Sequence, residues 1–109
     1  MPGSNGSERI VAQITWDGIN NEPGDTSRVG ITWNFEELRN YFWEDELELE
    51  SERTTFRMYD DDGILYYSGW LLNDDHCAVQ SMILRWAERD VGCTMIKVKI
   101  DGKWEQEIA

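Results

Sequence analysis

Residues 53–70 read RTTFRMYDDDGILYYSGW, two runs rich in β-branched and aromatic side chains, Arg53–Tyr59 and Ile64–Trp70, joined by Asp60-Asp61-Asp62-Gly63. Such side chains pack well on a pleated surface, and the Asp62-Gly63 pair supplies the positive φ that a tight hairpin turn requires. The spacing therefore predicts a β-hairpin at the centre of the chain. In its second strand both faces are apolar, with Ile64, Tyr66 and Trp70 on one and Leu65 and Tyr67 on the other. That strand is either covered twice or has one face meeting something else.

C-terminal to this hairpin, Asp74 or Asp75 is placed to cap a helix whose apolar stripe is Val79, Ile83, Trp86 and Ala87. Gln80, Arg85, Glu88 and Arg89 turn toward water, and Gly92 ends the helix. Thr94, Ile96, Val98 and Ile100 then alternate with Met95, Lys97 and Lys99, and Asp101-Gly102 turns the chain into Lys103–Ile108, a second hairpin. On the N-terminal side, Asn34 offers a cap with Glu37 three residues later, and Phe35, Leu38, Tyr41 and Phe42 form one stripe. A first helix from Phe35 to about Asp45 follows. Its continuation, Glu44 to Glu52, alternates acid with leucine and reads equally as a fraying helix end or an edge strand.

Before that helix, Val29 to Trp33 reads as a short strand and Asp17 to Arg28, rich in Gly, Asn, Pro, Asp and Ser, as a long loop. Glu8 to Trp16 alternates as a half-buried strand does, with Ile10, Ala12, Ile14 and Trp16 on one face and Val11, Gln13 and Thr15 on the other. The expected order is β-(β)-α-β-β-α-β-β, with connections too short for parallel crossovers. This gives an α+β fold: an antiparallel β-sheet with two helices packed on one face. A chain of 109 residues holds one core, so residues 8–109 form a single domain after a disordered N-terminus, 1–7.

The formal net charge is −12, from 22 acidic and 10 basic residues. Its long-range field repels phosphate backbones and anionic lipid, so the expected partners include no nucleic acid and no membrane. No apolar run approaches the ~18 residues of a membrane span, and Met1–Ser7 lacks the charged and apolar regions of a signal peptide. A cytoplasmic location is expected. Cys77 and Cys93 flank the ends of one helix, about 20 Å apart at ~1.5 Å per residue, too far for a disulfide.

Reactive constellations are missing from the pattern. Consecutive aspartates at 60–62 do not reproduce the alternating ligands of a calcium loop. His76 and Cys77 are neighbours at a helix start and point about 100° apart, and the aspartates around them raise a thiol pKa instead of lowering it. No phosphate loop, nucleophile elbow or metal-ligand spacing occurs, so no catalytic, cofactor-binding or metal residue is assigned and no cofactor is expected.

Two surfaces stand out instead. Glu36 to Arg53 holds eight acids and two arginines, half of the net charge. An acidic ridge of Glu44, Asp45, Glu46, Glu48 and Glu50 can cover the basic site of another protein, although the same residues also suit a solvated helix face. Tyr59, Leu65 and Tyr67 form a candidate homodimer face, unless both sheet faces are covered within the monomer or this one lines a small pocket.

The stretch Phe56–Tyr67, with Tyr59-Asp60-Asp61-Asp62-Gly63 and Tyr66-Tyr67-Ser68-Gly69, and the ending Gly92-Cys93-Thr94 with Asp101-Gly102-Lys103-Trp104-Glu105, resembles small uncharacterised bacterial hypothetical proteins of mobile elements such as integron gene cassettes. The likeness covers the C-terminal half and rests on hairpin turns. The helix between the turns departs from the loop expected there. The resemblance implies no activity and no functional residues.

From the residues, the leading expectation is a non-enzymatic accessory protein, homodimeric, that binds a basic protein partner through its acidic surface. The alternative is a small-ligand-binding domain or enzyme whose pocket is lined by its tryptophans and tyrosines.

Overall fold

The apolar stripes and turn residues build their elements in the expected order in a computed structural model of the chain, which describes residues 9–18, 28–42, 49–74 and 76–108, the last four as backbone alone. Strand β1 (Ile10–Asp17) and the short β2 (Thr32–Asn34) lead into helix α1 (Phe35–Tyr41). Strands β3 (Leu49–Tyr59) and β4 (Leu65–Asp74) form the central hairpin, followed by helix α2 (Ala78–Val91). The second hairpin, β5 (Met95–Ile100) and β6 (Lys103–Ile108), comes last. The strands form one antiparallel sheet in the order β2-β1-β4-β3-β5-β6. The fold is α+β, with both helices on one face of that sheet.

Local chemistry starts and stops these elements. Asn34 accepts from the Glu37 backbone N–H at 2.8 Å, and the Glu37 carboxylate accepts from the Asn34 N–H at 3.2 Å, which is a complete capping box. The helix is shorter than its stripe implied: Phe42 is already extended, and residues 43–48 lie outside the described residues. The acid–leucine alternation resolves, where it is described, as strand, since Leu49 to Glu52 open β3. Helix α2 is capped from a distance. Asp74, at the end of β4, accepts from the N–H groups of His76, Ala78 and Val79 at 2.9 to 3.1 Å, so its carboxylate satisfies donors that a helix start leaves unpaired.

The two hairpins turn differently. Asp101 (φ 52°) and Gly102 (φ 81°) are both left-handed, as a two-residue turn between paired Ile100 and Lys103 demands. At the central hairpin only Gly63 is left-handed (φ 79°), and the connection is five residues long. Asp60 closes it by accepting from Asp62 and Ile64 N–H, both at 2.9 Å.

The core lies between the sheet and the helices. Ala12, Ile14, Phe56, Met58, Tyr67, Leu71, Ile96 and Val98 meet Leu38 of α1 and Val79, Ile83 and Ala87 of α2. Gln80, expected to face water, is buried and donates to Asn73 at 2.9 Å.

Of the irregularities in the ladder, two reassign aromatic side chains between the faces. Along β1, Ile14 pairs with Gly69 but Trp16 with Ser68, so Thr15 is an extra residue and Trp16 swings to the face opposite Ile14. The strict alternation expected over Ile10 to Trp16 is broken there. Along β4, Met58 pairs with Tyr67 but Tyr59 with Leu65, which makes Tyr66 the extra residue and puts Leu65 and Tyr67 on opposite faces. Gly69 makes the first irregularity possible, because a Cβ there would lie 1.9 Å from the Gln13 carbonyl oxygen. Finally, β3 outruns β5: the two pair only from Phe56 to Tyr59, and among the described residues the stretch from Leu49 to Thr55 has β4 alone beside it.

Candidate binding surface on the open sheet face

The face of the sheet turned away from the helices carries what the core does not. On β3, Phe56 and Met58 point into the core, so Arg53, Thr55, Arg57 and Tyr59 point out. On β5, Ile96 and Val98 point in, so Lys97 and Lys99 point out. Cross-strand pairing aligns these with their neighbours: Trp16, Ser68, Arg57 and Lys97 share one row, Gln13, Trp70 and Thr55 the next, and Lys99 stands opposite Trp104 of β6. Four of the ten basic residues of an acidic protein thus gather on one surface.

Each of the four lies against an aromatic ring. The Arg53 guanidinium is 4.0 Å from the centre of Trp70, and that of Arg57 is 4.2 Å from Trp104. The Lys97 ammonium is 5.2 Å from Tyr59, and that of Lys99 is 5.9 Å from Trp104. A cation over a ring face is held by the ring's quadrupole, worth about 0.5–1 kcal/mol at exposed sites. Among the described residues no carboxylate comes within ion-pair distance of any of the four; Arg28–Asp90 is the salt bridge found there. Trp70 is further fixed by its indole N–H, which donates to the Gln13 side chain at 3.1 Å. Trp16 is 45 % exposed at the β1 side of the same face.

The expected dimer face divides across the sheet. Tyr59 and Leu65 do lie on this open side, but Tyr67 is fully buried beneath α2, 5.3 Å from the Trp86 ring. The extra residue at Tyr66 is the cause. Tyr67 instead reaches from the core to a surface ion pair: its hydroxyl donates to Asp90 at 2.6 Å, and Arg28 binds the same carboxylate through two nitrogens at 3.1 and 3.3 Å. Burial, reinforced by Asp90, raises the Tyr67 pKa. Burial also opposes ionisation of Asp90, but the hydrogen bonds from Arg28 and Tyr67 outweigh it and hold that carboxyl below its ordinary range. These are three mutually satisfied groups, which is a structural arrangement.

Of the acidic ridge, Glu50 stands exposed on β3, while Glu44, Asp45, Glu46 and Glu48 lie outside the described residues. His76 stacks on Phe42 at 5.5 Å and precedes α2, as does Cys77. Cys93 is buried, and burial pushes its thiol up to about 12. No helix is long and apolar enough to cross a membrane, and no metal-holding cluster occurs, among the described residues.

Hollows open on both sides of the sheet among the described residues. A groove of about 240 Å³ on the helix side is lined by Trp33, Tyr41, Met82 and Trp86 with Glu37, Arg85 and Arg89. A polar cleft of about 370 Å³ opens where β3 outruns β5, lined by Glu50, Glu52, Arg53, Lys99 and Asp101 among others.

The grouping of the four cations with Trp16, Trp70 and Trp104 was missed because each strand was taken alone. A signal was present: Lys97 and Lys99 alternate with Ile96 and Val98, as Arg57 does with Phe56 and Met58, so period two already assigned them to a common side. Compared with known proteins, the chain matches no family, no curated protein and no solved structure.

Proposed function

We propose that the chain is a non-enzymatic binding module whose working surface is the open sheet face and whose partner presents negative charge to it. One observation carries this: Arg53, Arg57, Lys97 and Lys99 cluster over aromatic rings without a described carboxylate partner in a protein with more than twice as many acids as bases. A face shaped only for solubility has abundant glutamate and aspartate with which to neutralise such a cluster. The like charges of the cluster repel one another, a cost that an anionic partner relieves. The hollows support a small-ligand reading less well: the helix-side groove falls below the ~300–1,000 Å³ common for ligand pockets, and the larger cleft is lined mainly by polar and charged residues, whereas such pockets are mostly apolar. A homodimer built on the centre of the open face is disfavoured by the same charges, because twofold symmetry sets like cations against each other.

The test is retention on a heparin column, a polyanion of no particular sequence, at about 50 mM salt, where surface charges still act over more than 10 Å. The wild-type protein is retained despite its net charge, and the Arg57→Glu/Lys97→Glu variant flows through with an unchanged melting temperature. Flow-through of the wild type would refute the reading. A second reading, a basic protein held by the acidic stretch, is supported by the exposed Glu50 and Glu52 on β3. Charge reversal at Glu46, Glu48 and Glu50 separates it, since it leaves heparin retention intact.

A further inference from the structure

Resting on that reading, we infer that the anionic partner is a single-stranded nucleic acid, lying across the strands from Trp70 to Trp104. The two rings stand on β4 and β6, three strand spacings apart, which at ~4.8 Å per strand is about 14 Å. A strand rising ~3.4 Å or more per nucleotide covers that in about four nucleotides or fewer. The four cations lie against these rings and Tyr59, so a base that reaches a ring displaces the cation over it, and that cation turns to a phosphate along the same path. Stacking platforms for single strands combine these two elements, aromatic faces for bases and a positive track for the backbone.

The arrangement of acids favours this partner over the other polyanions. Asp60, Asp61 and Asp62 occupy the turn at one strand end of the face, and Glu50, Glu52 and Asp101 line the cleft at the opposite end, beside Arg53 and Lys99. The positive area is therefore a strip running across the strands, bordered by acid on both sides. A single backbone fits within such a strip, whereas the second strand of a duplex falls on the acidic border, and its bases, already stacked inside, offer the rings nothing. An acidic peptide satisfies the cations but leaves the exposed Trp16 ring without a stacking partner. The net charge of −12 acts against long-range attraction, yet at physiological ionic strength charges beyond about 8 Å are largely screened, so the contacts are decided by the strip. Association then gains no electrostatic steering and discriminates by contact.

The decisive experiment is fluorescence anisotropy of labelled ten-residue oligothymidylate and oligouridylate at about 50 mM salt, with a duplex of matched length and polyglutamate as competitors. The expected result is saturable binding that duplex and polyglutamate displace weakly. Trp70→Ala and Trp104→Ala each weaken it by about five- to a hundredfold, while Trp70→Phe, which keeps a ring, largely retains it. The log–log salt slope is about −2 to −3, as expected for three or four phosphates on single strands. Absence of saturable binding by either oligonucleotide, or equal binding by the folded double alanine variant, overturns the inference. If heparin retains the protein while the oligonucleotides do not bind, the partner is another polyanion and the binding-module reading survives. If neither binds, both fall.

Discussion

Tyr67 and Cys93 are neutral buried groups whose ionisation the fold resists, and both are displaced in the same direction. Cys93 rises from 9.0 to about 12 through burial, and Tyr67 rises above its ordinary 10.0 through burial and the hydrogen bond it gives Asp90. For a group with a raised folded-state pKa, the contribution to stability is complete below the unfolded value and disappears as pH climbs toward the folded one. Urea midpoints are thus expected to stay level up to about pH 8.5 and to fall between pH 9 and 12. The fall should be shallower in a Tyr67→Phe/Cys93→Ala variant; an equal fall in both proteins would contradict the assignment. Asp90 has the opposite sign, since its lowered pKa contributes stability above 3.8 that is lost as pH drops below it.

Among the elements, the irregularities at Thr15 and Tyr66 decide which aromatic side chains the open face displays. Gly69 is the residue on which one of them depends, because its missing Cβ leaves room for the Gln13 carbonyl. Gly69→Ala is expected to cost about 1–3 kcal/mol or more by overpacking, lowering the melting temperature by roughly 4–8 °C per kcal/mol in a domain of this size. Calorimetry checks it, and an unchanged melting temperature would show that β1 can shift freely. Much of the architecture was readable beforehand: the Asn34–Glu37 box, the ends of α2 and the Asp101-Gly102 turn are local chemistry written in consecutive residues. The extra residues at Thr15 and Tyr66 were not, because an insertion into a ladder depends on the partner strand and leaves no mark in a period of two. That is why Trp16 and Tyr67 were each expected on the wrong side. The distant cap by Asp74 was half visible, as a cap residue placed four positions before the helix it serves.

For the molecule as a whole, net charge is a sum over every surface, whereas contact is made by a patch. The basic strip draws on β3 and β5, and its rings also come from β1, β4 and β6, so no window of sequence contains it. The charge still governs stability. With 22 acids against 10 bases, self-repulsion destabilises the compact state, and salt screens it. The melting temperature is therefore expected to rise by a few degrees between about 10 and 300 mM sodium chloride, while polyanion binding weakens over the same range; a melting temperature that fell with salt would place the dominant electrostatics elsewhere. The overhang of β3 past β5 bears on how the protein behaves in a crowd. A half-paired strand is an open invitation for another chain to extend the ladder and begin a fibril. Here the overhang carries Glu50 and Glu52, and any copy that docked in register would bring its own glutamates to the same place. The acid that colours the composition so heavily thus also sits where such growth would start, along a stretch of β3 with a single described neighbour.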